Sequence, residues 1–183
     1  MKTVCFTGHR PNKLGGYDWE SPENQQIMNR LRETILEIMN KYPNEDFKFI
    51  CGGALGVDQM AFEIVSYGIQ FSNSRKYILE LAIPFKNQSI KWFNKTDINR
   101  YNGQKEDADI VTYVDKLDNY KINGYAEDIY YPAKMQKRNE YMVDNSDMVI
   151  AVWDGTKGGT YNCVQYAKKK NKEIIQINPK EFL

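Results

Sequence analysis

Histidine occurs once in this chain, no CxxC pair accompanies its three cysteines, and neither sign of charge is in excess. Each scarcity removes a class of function. A lone histidine cannot build a histidine-rich metal site, and without a Cys or Cys/His cluster no zinc centre, or other metal site, is expected. Lys plus Arg number 25 against 24 Asp plus Glu. A general nucleic-acid binder carries a basic excess or a basic block, so nucleic acid is not the expected partner. The densest basic run, Lys168-Lys169-Lys170, ends a predicted helix, where cations favour the dipole. No stretch approaches the roughly 18 apolar residues of a membrane span, and the apolar run in MKTVCFTGHR is too short for a secretory signal. The expectation is a cytoplasmic protein with no membrane partner and its cysteines buried as free thiols. Repeats, low-complexity tracts and linkers are lacking too, so 1–183 reads as one domain.

What is present is an alternation. Apolar strand patterns at 3–7 (TVCFT), 47–51, 77–83, 110–114, 148–153 and 173–177 are separated by helical patterns. Ser21 caps a helix with Pro22 in its first turn, and Ile27, Leu31, Ile35, Ile38 and Tyr42 repeat at helical spacing. A second helix follows Gly56 and buries Val57, Met60, Ala61, Ile64 and Val65, ending near Gly68. Residues 87–106 read as a third, with Ile90, Phe93, Ile98 and Tyr101 facing the core. Helices over 133–144 and from Gly159 through Lys170 complete the set, and 115–131 reads as a surface loop or lid. Apolar strands separated by helices predict a Rossmann-like, doubly wound α/β fold with a mainly parallel sheet.

Three turns at the carboxyl ends of strands collect the chemistry, the edge where such sheets bind ligands. The first holds Thr7, Gly8, His9 and Arg10. Arg10 suits a paired contact to phosphate or carboxylate, Thr7 offers a hydroxyl, and His9 suits either acid–base work or fixing its own loop. The second is Gly52-Gly53-Ala54-Leu55-Gly56 with Asp58 just inside the next helix. Glycines there permit tight turns and leave backbone amides bare, and a helix start adds its positive dipole end. Such a turn is an anion site, most often for phosphate. Asp58 would repel phosphate and is assigned to a sugar contact or to loop structure. The third turn holds Asp154 and Gly155, which lead to Gly158, Gly159 and Thr160 at another helix start. Asp154 either holds a ligand hydroxyl or braces the loop; Lys157 reads as a solvated turn residue. Arg138 and Asn139 on the preceding helix either reach this edge or face solvent.

At these residues, CFTGHRP, GGALGVDQMA, QKRNEYMVDNSDMVIAVWDG and GGT, the chain resembles the YpsA-like branch of the SLOG superfamily, Rossmann-like proteins related to DprA and the LOG enzymes. The resemblance implies a nucleotide or nucleotide-derived ligand, including NAD- and ADP-ribose-related ones, held across the strand ends by the residues just named. One departure matters. In LOG-type phosphoribohydrolases the glycine–threonine turn is followed by glutamates, whereas here Thr160 is followed by Tyr161, Asn162 and Cys163. An amide cannot exchange a proton near neutral pH as a carboxylate can. The expected function is therefore binding of a small phosphorylated ligand, non-catalytic or regulatory. The alternative is a hydrolase cleaving a nucleotide or nucleoside phosphate, for which His9, Asp58 and Asp154 are the acid–base candidates. The sequence names no certain cofactor and leaves a homo-oligomer open.

Overall fold

The computed structural model describes residues 1–68 and 77–183. Six strands form one sheet: β1 (Lys2–Gly8), β2 (Phe47–Cys51), β3 (Tyr77–Ile83), β4 (Ile110–Tyr113), β5 (Met148–Val152) and β6 (Glu173–Ile177). Their order is β4-β3-β2-β1-β5-β6, and every pairing is parallel. The chain therefore winds from β1 outward to β4, then crosses back to place β5 on the other side of β1. That reversal is the topological switch point of a doubly wound sheet. The register pairs Thr7 with Ala151 and Gly8 with Val152, so β1 and β5 end level and open a crevice between their exits.

The helices are α1 (Pro22–Lys41), α2 (Val57–Glu63), α3 (Lys95–Asp107), α4 (Pro132–Asp144) and α5 (Gly159–Lys169). Successive strand residues face opposite ways, and the core divides accordingly. Val4, Phe6, Phe49, Leu81 and Ile150 pack with Ile27, Leu31 and Ile35 of α1, Met60 of α2 and Tyr101 of α3. Cys5, Ile50, Ala82 and Val149 pack with Met142 and Val143 of α4 and Cys163 and Ala167 of α5. Burial on both faces is why the strands read as nearly unbroken apolar runs. The exception is Glu80, fully buried on the α4 side, where it accepts hydrogen bonds from Thr112 (2.7 Å) and Tyr141 (2.6 Å) and faces Lys48 Nζ at 2.6 Å.

The start of α1 follows its sequence signals. Ser21 Oγ accepts from the Asn24 amide at 3.3 Å, with Pro22 in the first turn. Two helices differ from expectation. The helix predicted over 87–106 begins only at Lys95, because the Asn94 side chain caps it by accepting from the Thr96 amide at 2.8 Å. The preceding residues form turns, which leave Ile90 71% and Phe93 99% exposed. Trp92 takes the inward role instead, edge-on to buried Tyr101 with ring centres 5.1 Å apart. The second helix keeps α geometry only to Glu63 and then widens into a π turn to Gly68, with Ile64 and Val65 still buried.

The 115–131 stretch is a pinned loop after a short 3-10 turn. Buried Lys134 reaches Asp115 Oδ2 at 3.0 Å and donates to the Ala126 carbonyl at 2.8 Å. The Asp128 amide donates to the same Asp115 oxygen at 2.9 Å.

Candidate functional site

A cavity of about 310 Å³ lies at the β1/β5 switch point. The turn after β1 contributes Thr7, Gly8, His9 and Arg10 to its wall, followed by Asn12 and Lys13. The turn before α5 supplies Thr156 through Thr160, and α4 supplies Met135, Arg138 and Asn139. Those three α4 residues fall at i, i+3 and i+4, so one helix face meets the cavity. Only Ala54 and Asp58 of the β2–α2 turn line it.

The N-terminus of α5 is open. Gly158, at a φ of 152°, stands in the cap position with no side-chain bond across it. A side chain built at Gly158 or Gly159 would meet nothing within 4 Å. The first amides of this 11-residue helix thus present their donors and the positive dipole end toward the cavity. Arg10 is exposed at the rim, and Arg138, 5% exposed, lies inside. Arg138 Nη1 donates to Asp58 Oδ2 at 2.9 Å. Its Nε is buried with no hydrogen-bond partner among the described residues, an unmet donor beside the cavity. The Asn139 amide and the Thr160 hydroxyl add polar groups to the same wall.

The turn before α5 is held by Asp154. Its Oδ1 accepts from the Thr156 hydroxyl (2.6 Å), the Thr156 amide (3.0 Å) and His9 Nε2 (2.6 Å). Lys180 Nζ reaches Oδ2 at 3.0 Å. The Thr156 hydroxyl above all, then the Thr156 amide, His9 and Lys180, hold this carboxyl well below the usual aspartate range against the opposing effect of desolvation. Lys13 Nζ donates to Thr156 Oγ1 at 2.6 Å, which joins the first and third turns. Asp154 and Gly155 sit behind this network and do not line the cavity.

The β2–α2 glycines act otherwise than as bare-amide donors. A Cβ on Gly52 would lie 1.5 Å from Arg138 Nη1, so Gly52 makes room for the guanidinium. Gly56, at a φ of 92°, brings its Cα against the His9 carbonyl, which a Cβ would approach to 2.4 Å. The Val57 amide donates to that carbonyl at 3.3 Å, and the Ala54 amide faces Asp58 Oδ2 at 3.4 Å. Gly52, Gly53, Leu55 and Gly56 do not line the cavity. The segment seats Arg138 and the first turn, while the helix start that lines the cavity belongs to α5. No residue of 115–131 lines the cavity either.

Residues 4–182 match the family described as the YspA SLOG family. The chain belongs to this YpsA SLOG family. It is 39% identical over 150 residues to the SPbeta prophage-derived protein YoqJ of Bacillus subtilis, covering 82% of this chain and 85% of that protein. A UPF0398 protein of Halalkalibacterium halodurans is 26% identical over 94% of this chain and 84% of its own length. A UPF0398 protein of Bacillus thuringiensis is 28% identical over 95% and 86%. Among solved structures, DNA processing protein A from Helicobacter pylori, described in its single-stranded DNA binding mode, superposes with a TM-score of 0.55 at 19% identity. That match covers 97% of this chain and 65% of the other, and it shows the shared Rossmann-like fold.

In this YpsA-family chain the structure adds Asn12, Lys13, Met135, Thr156 and Lys157 to the cavity wall. Met135 was legible from its helical spacing to Arg138 and Asn139; nothing in the pattern of the first loop marks Asn12 or Lys13. The three cysteines are buried and unpaired. Burial pushes their thiols up, that of Cys163 to about 11, which removes them as nucleophiles at neutral pH. Among the described residues no cluster of His, Cys, Asp or Glu has the arrangement of a metal site, and no helix is long and apolar enough to cross a membrane.

Proposed function

We propose that the protein binds a phosphorylated small molecule, a nucleotide or a nucleotide-derived ligand of the NAD or ADP-ribose type, in a non-catalytic or regulatory role. One observation carries this reading: the uncapped, glycine-bared N-terminus of α5 opens into the same cavity as Arg10 and Arg138. Helix amides and guanidinium groups together suit phosphate oxygens. The location at a switch point is where doubly wound sheets take such ligands. A small ligand is favoured over DNA, although the Helicobacter pylori protein of similar fold binds single-stranded DNA. The site is a bounded cavity of about 310 Å³, and the chain carries a formal net charge of only +1. We place the protein in the cytoplasm, where three unpaired thiols are stable.

The test is a thermal-shift and calorimetric panel of nucleoside phosphates, NAD, ADP-ribose and a single-stranded oligonucleotide, with chromatography of each ligand after incubation. The expected result is saturable binding of a phosphorylated small molecule that is recovered unchanged. At 100 times its dissociation constant that ligand stabilises the fold by about 2.7 kcal/mol. No stabilisation by any small member, or binding of the oligonucleotide alone, refutes the reading.

A further inference from the structure

The only histidine of the chain is 95% buried in the cavity wall, and one ring nitrogen has no hydrogen-bond partner among the described residues. His9 Nε2 lies 2.6 Å from Asp154 Oδ1. Two bare lone pairs at that separation would repel, so one group must carry a proton. Asp154 takes three further contacts, from the Thr156 hydroxyl, the Thr156 amide and Lys180, all of which favour the carboxylate. The proton therefore resides on Nε2, which donates to Asp154. The longer approach of the Asp154 amide to Nε2, at 3.3 Å, is then a contact and not a bond. In the neutral ring Nδ1 is consequently a bare acceptor. Nδ1 has no hydrogen-bond partner among the described residues and is not sealed from solvent.

The cationic and amide groups around the cavity are of opposite kind, and Asp58, the carboxylate in the lining, has its Oδ2 taken by Arg138 and the Ala54 amide. Arg10, Arg138, Lys13, Lys157 and the α5 amides are donors. A bare phosphate or polyphosphate dianion satisfies those donors but offers nothing to Nδ1. We propose that His9, locked in this tautomer by Asp154, is a specificity-determining acceptor for a sugar hydroxyl next to the bound phosphoryl group. The ligand class is thereby a sugar phosphate or ribonucleotide and not a hydroxyl-free phosphate ester. This inference rests on the phosphate-binding reading above and narrows it. Gly56 supports the placement, since its lack of a Cβ lets the α2 turn close on the His9 backbone and hold the ring in position.

The experiment uses the full chain with 15N-labelled histidine, whose single residue yields one pair of ring signals. At a pH well above the ordinary imidazole range, Nε2 is expected to show the protonated signal and Nδ1 the bare one. Ribose 5-phosphate is expected to shift Nδ1, whereas methyl phosphate, which has no donor at that pH, leaves it in place. On His9→Leu, ribose 5-phosphate should lose about fivefold more affinity than methyl phosphate, and the ratio of the two probes cancels any shift of the α5 turn that follows from losing the His9–Asp154 contact. A protonated Nδ1 overturns the proposal without any variant being made. So does an advantage of ribose 5-phosphate over methyl phosphate that survives in His9→Leu. In either case retained binding of methyl phosphate leaves the anion site standing. Failure of both probes to bind overturns the anion site and this inference together.

Discussion

The Arg138 guanidinium and the Asp58 carboxylate meet at 2.9 Å, with their side chains only 6% and 8% exposed, and so tie α4 to the first turn of α2 beside the cavity. Two desolvated charges in contact are not by themselves a source of stability, but breaking such a pair leaves one of them uncompensated. Arg138→Met is therefore expected to destabilise the fold by about 3–5 kcal/mol. Arg138→Met with Asp58→Leu should recover most of that loss while phosphate binding stays weak. Urea denaturation of the two variants, read beside ligand titration, separates the structural role of the pair from its role at the site.

Gly52 and Gly56 separate along the same line. Gly52→Ala drives a Cβ into both the Arg138 guanidinium and the Asp58 carboxylate. The expected outcome is a displaced guanidinium, weakened phosphate binding and a stability loss approaching that of Arg138→Met, because the buried pair is broken with it. Gly56→Ala meets backbone, the His9 carbonyl, at a φ that L residues rarely adopt. It should cost about 2 kcal/mol or more. A Gly52→Ala loss that is undiminished in the Arg138→Met background, or a Gly56→Ala loss that disappears there, would refute this division.

At α5, stability and binding are expected to move in opposite directions. Gly159 has open space around it and ordinary backbone geometry. Gly159→Asp places a carboxylate in the first turn, where it favours the dipole by about 0.3–1 kcal/mol. The same carboxylate occupies and repels what a phosphate needs. The variant should melt slightly higher than the wild type and lose the ligand-induced shift. Arg10→Ala, which leaves the helix untouched, should weaken the ligand by about 1.5–3 kcal/mol.

Asp154 sets a pH dependence of known sign. Its carboxyl is held below its ordinary value, first by the Thr156 hydroxyl. A depressed carboxyl contributes stability that is fully present above the unfolded value of about 3.9 and lost as pH falls through the folded value. The stability difference between wild type and Asp154→Asn should therefore be constant above about pH 5 and shrink below about pH 4. Denaturation at a series of pH values measures it, and a difference that widens on acidification would contradict the assignment.

The 115–131 loop is expected to depend on Lys134. Its ammonium bonds Asp115 and the Ala126 carbonyl, and Asp115 Oδ1 already lacks a partner among the described residues. Lys134→Met should cost about 3–5 kcal/mol, the penalty for stranding a buried carboxylate. Hydrogen exchange should show its largest acceleration in this loop, with the α5 amides less affected.

Much of this fold is legible in the amino-acid sequence. Apolar runs of strand length between helical patterns specify a parallel sheet covered on both faces, because only double-sided burial favours unbroken apolar strands. The cap at Ser21 and the family motifs were equally local. The stretch before α3 departs from its sequence pattern because Ile90, Phe93, Ile98 and Tyr101 imitate a helical spacing, while the capping bond from the Thr96 amide to Asn94 starts the helix later. The side of α4 that carries Arg138 was equally undetermined, since periodicity places residues on a shared face and not against a neighbour.

The amino-acid order alone determined the class of fold, the sheet edge where the polar turns collect and the membership of the family, since these follow from period, turn chemistry and motif. What each glycine does was decided only in three dimensions. A glycine that bares an amide and one that admits a neighbour's side chain are identical letters. Gly158 and Gly159 open α5 to the cavity, whereas Gly52 accommodates Arg138 and Gly56 the His9 carbonyl. The difference lies in which atoms, brought from distant parts of the chain at Gly52 and Gly56 and from none at Gly158 and Gly159, fill the space where a Cβ would stand.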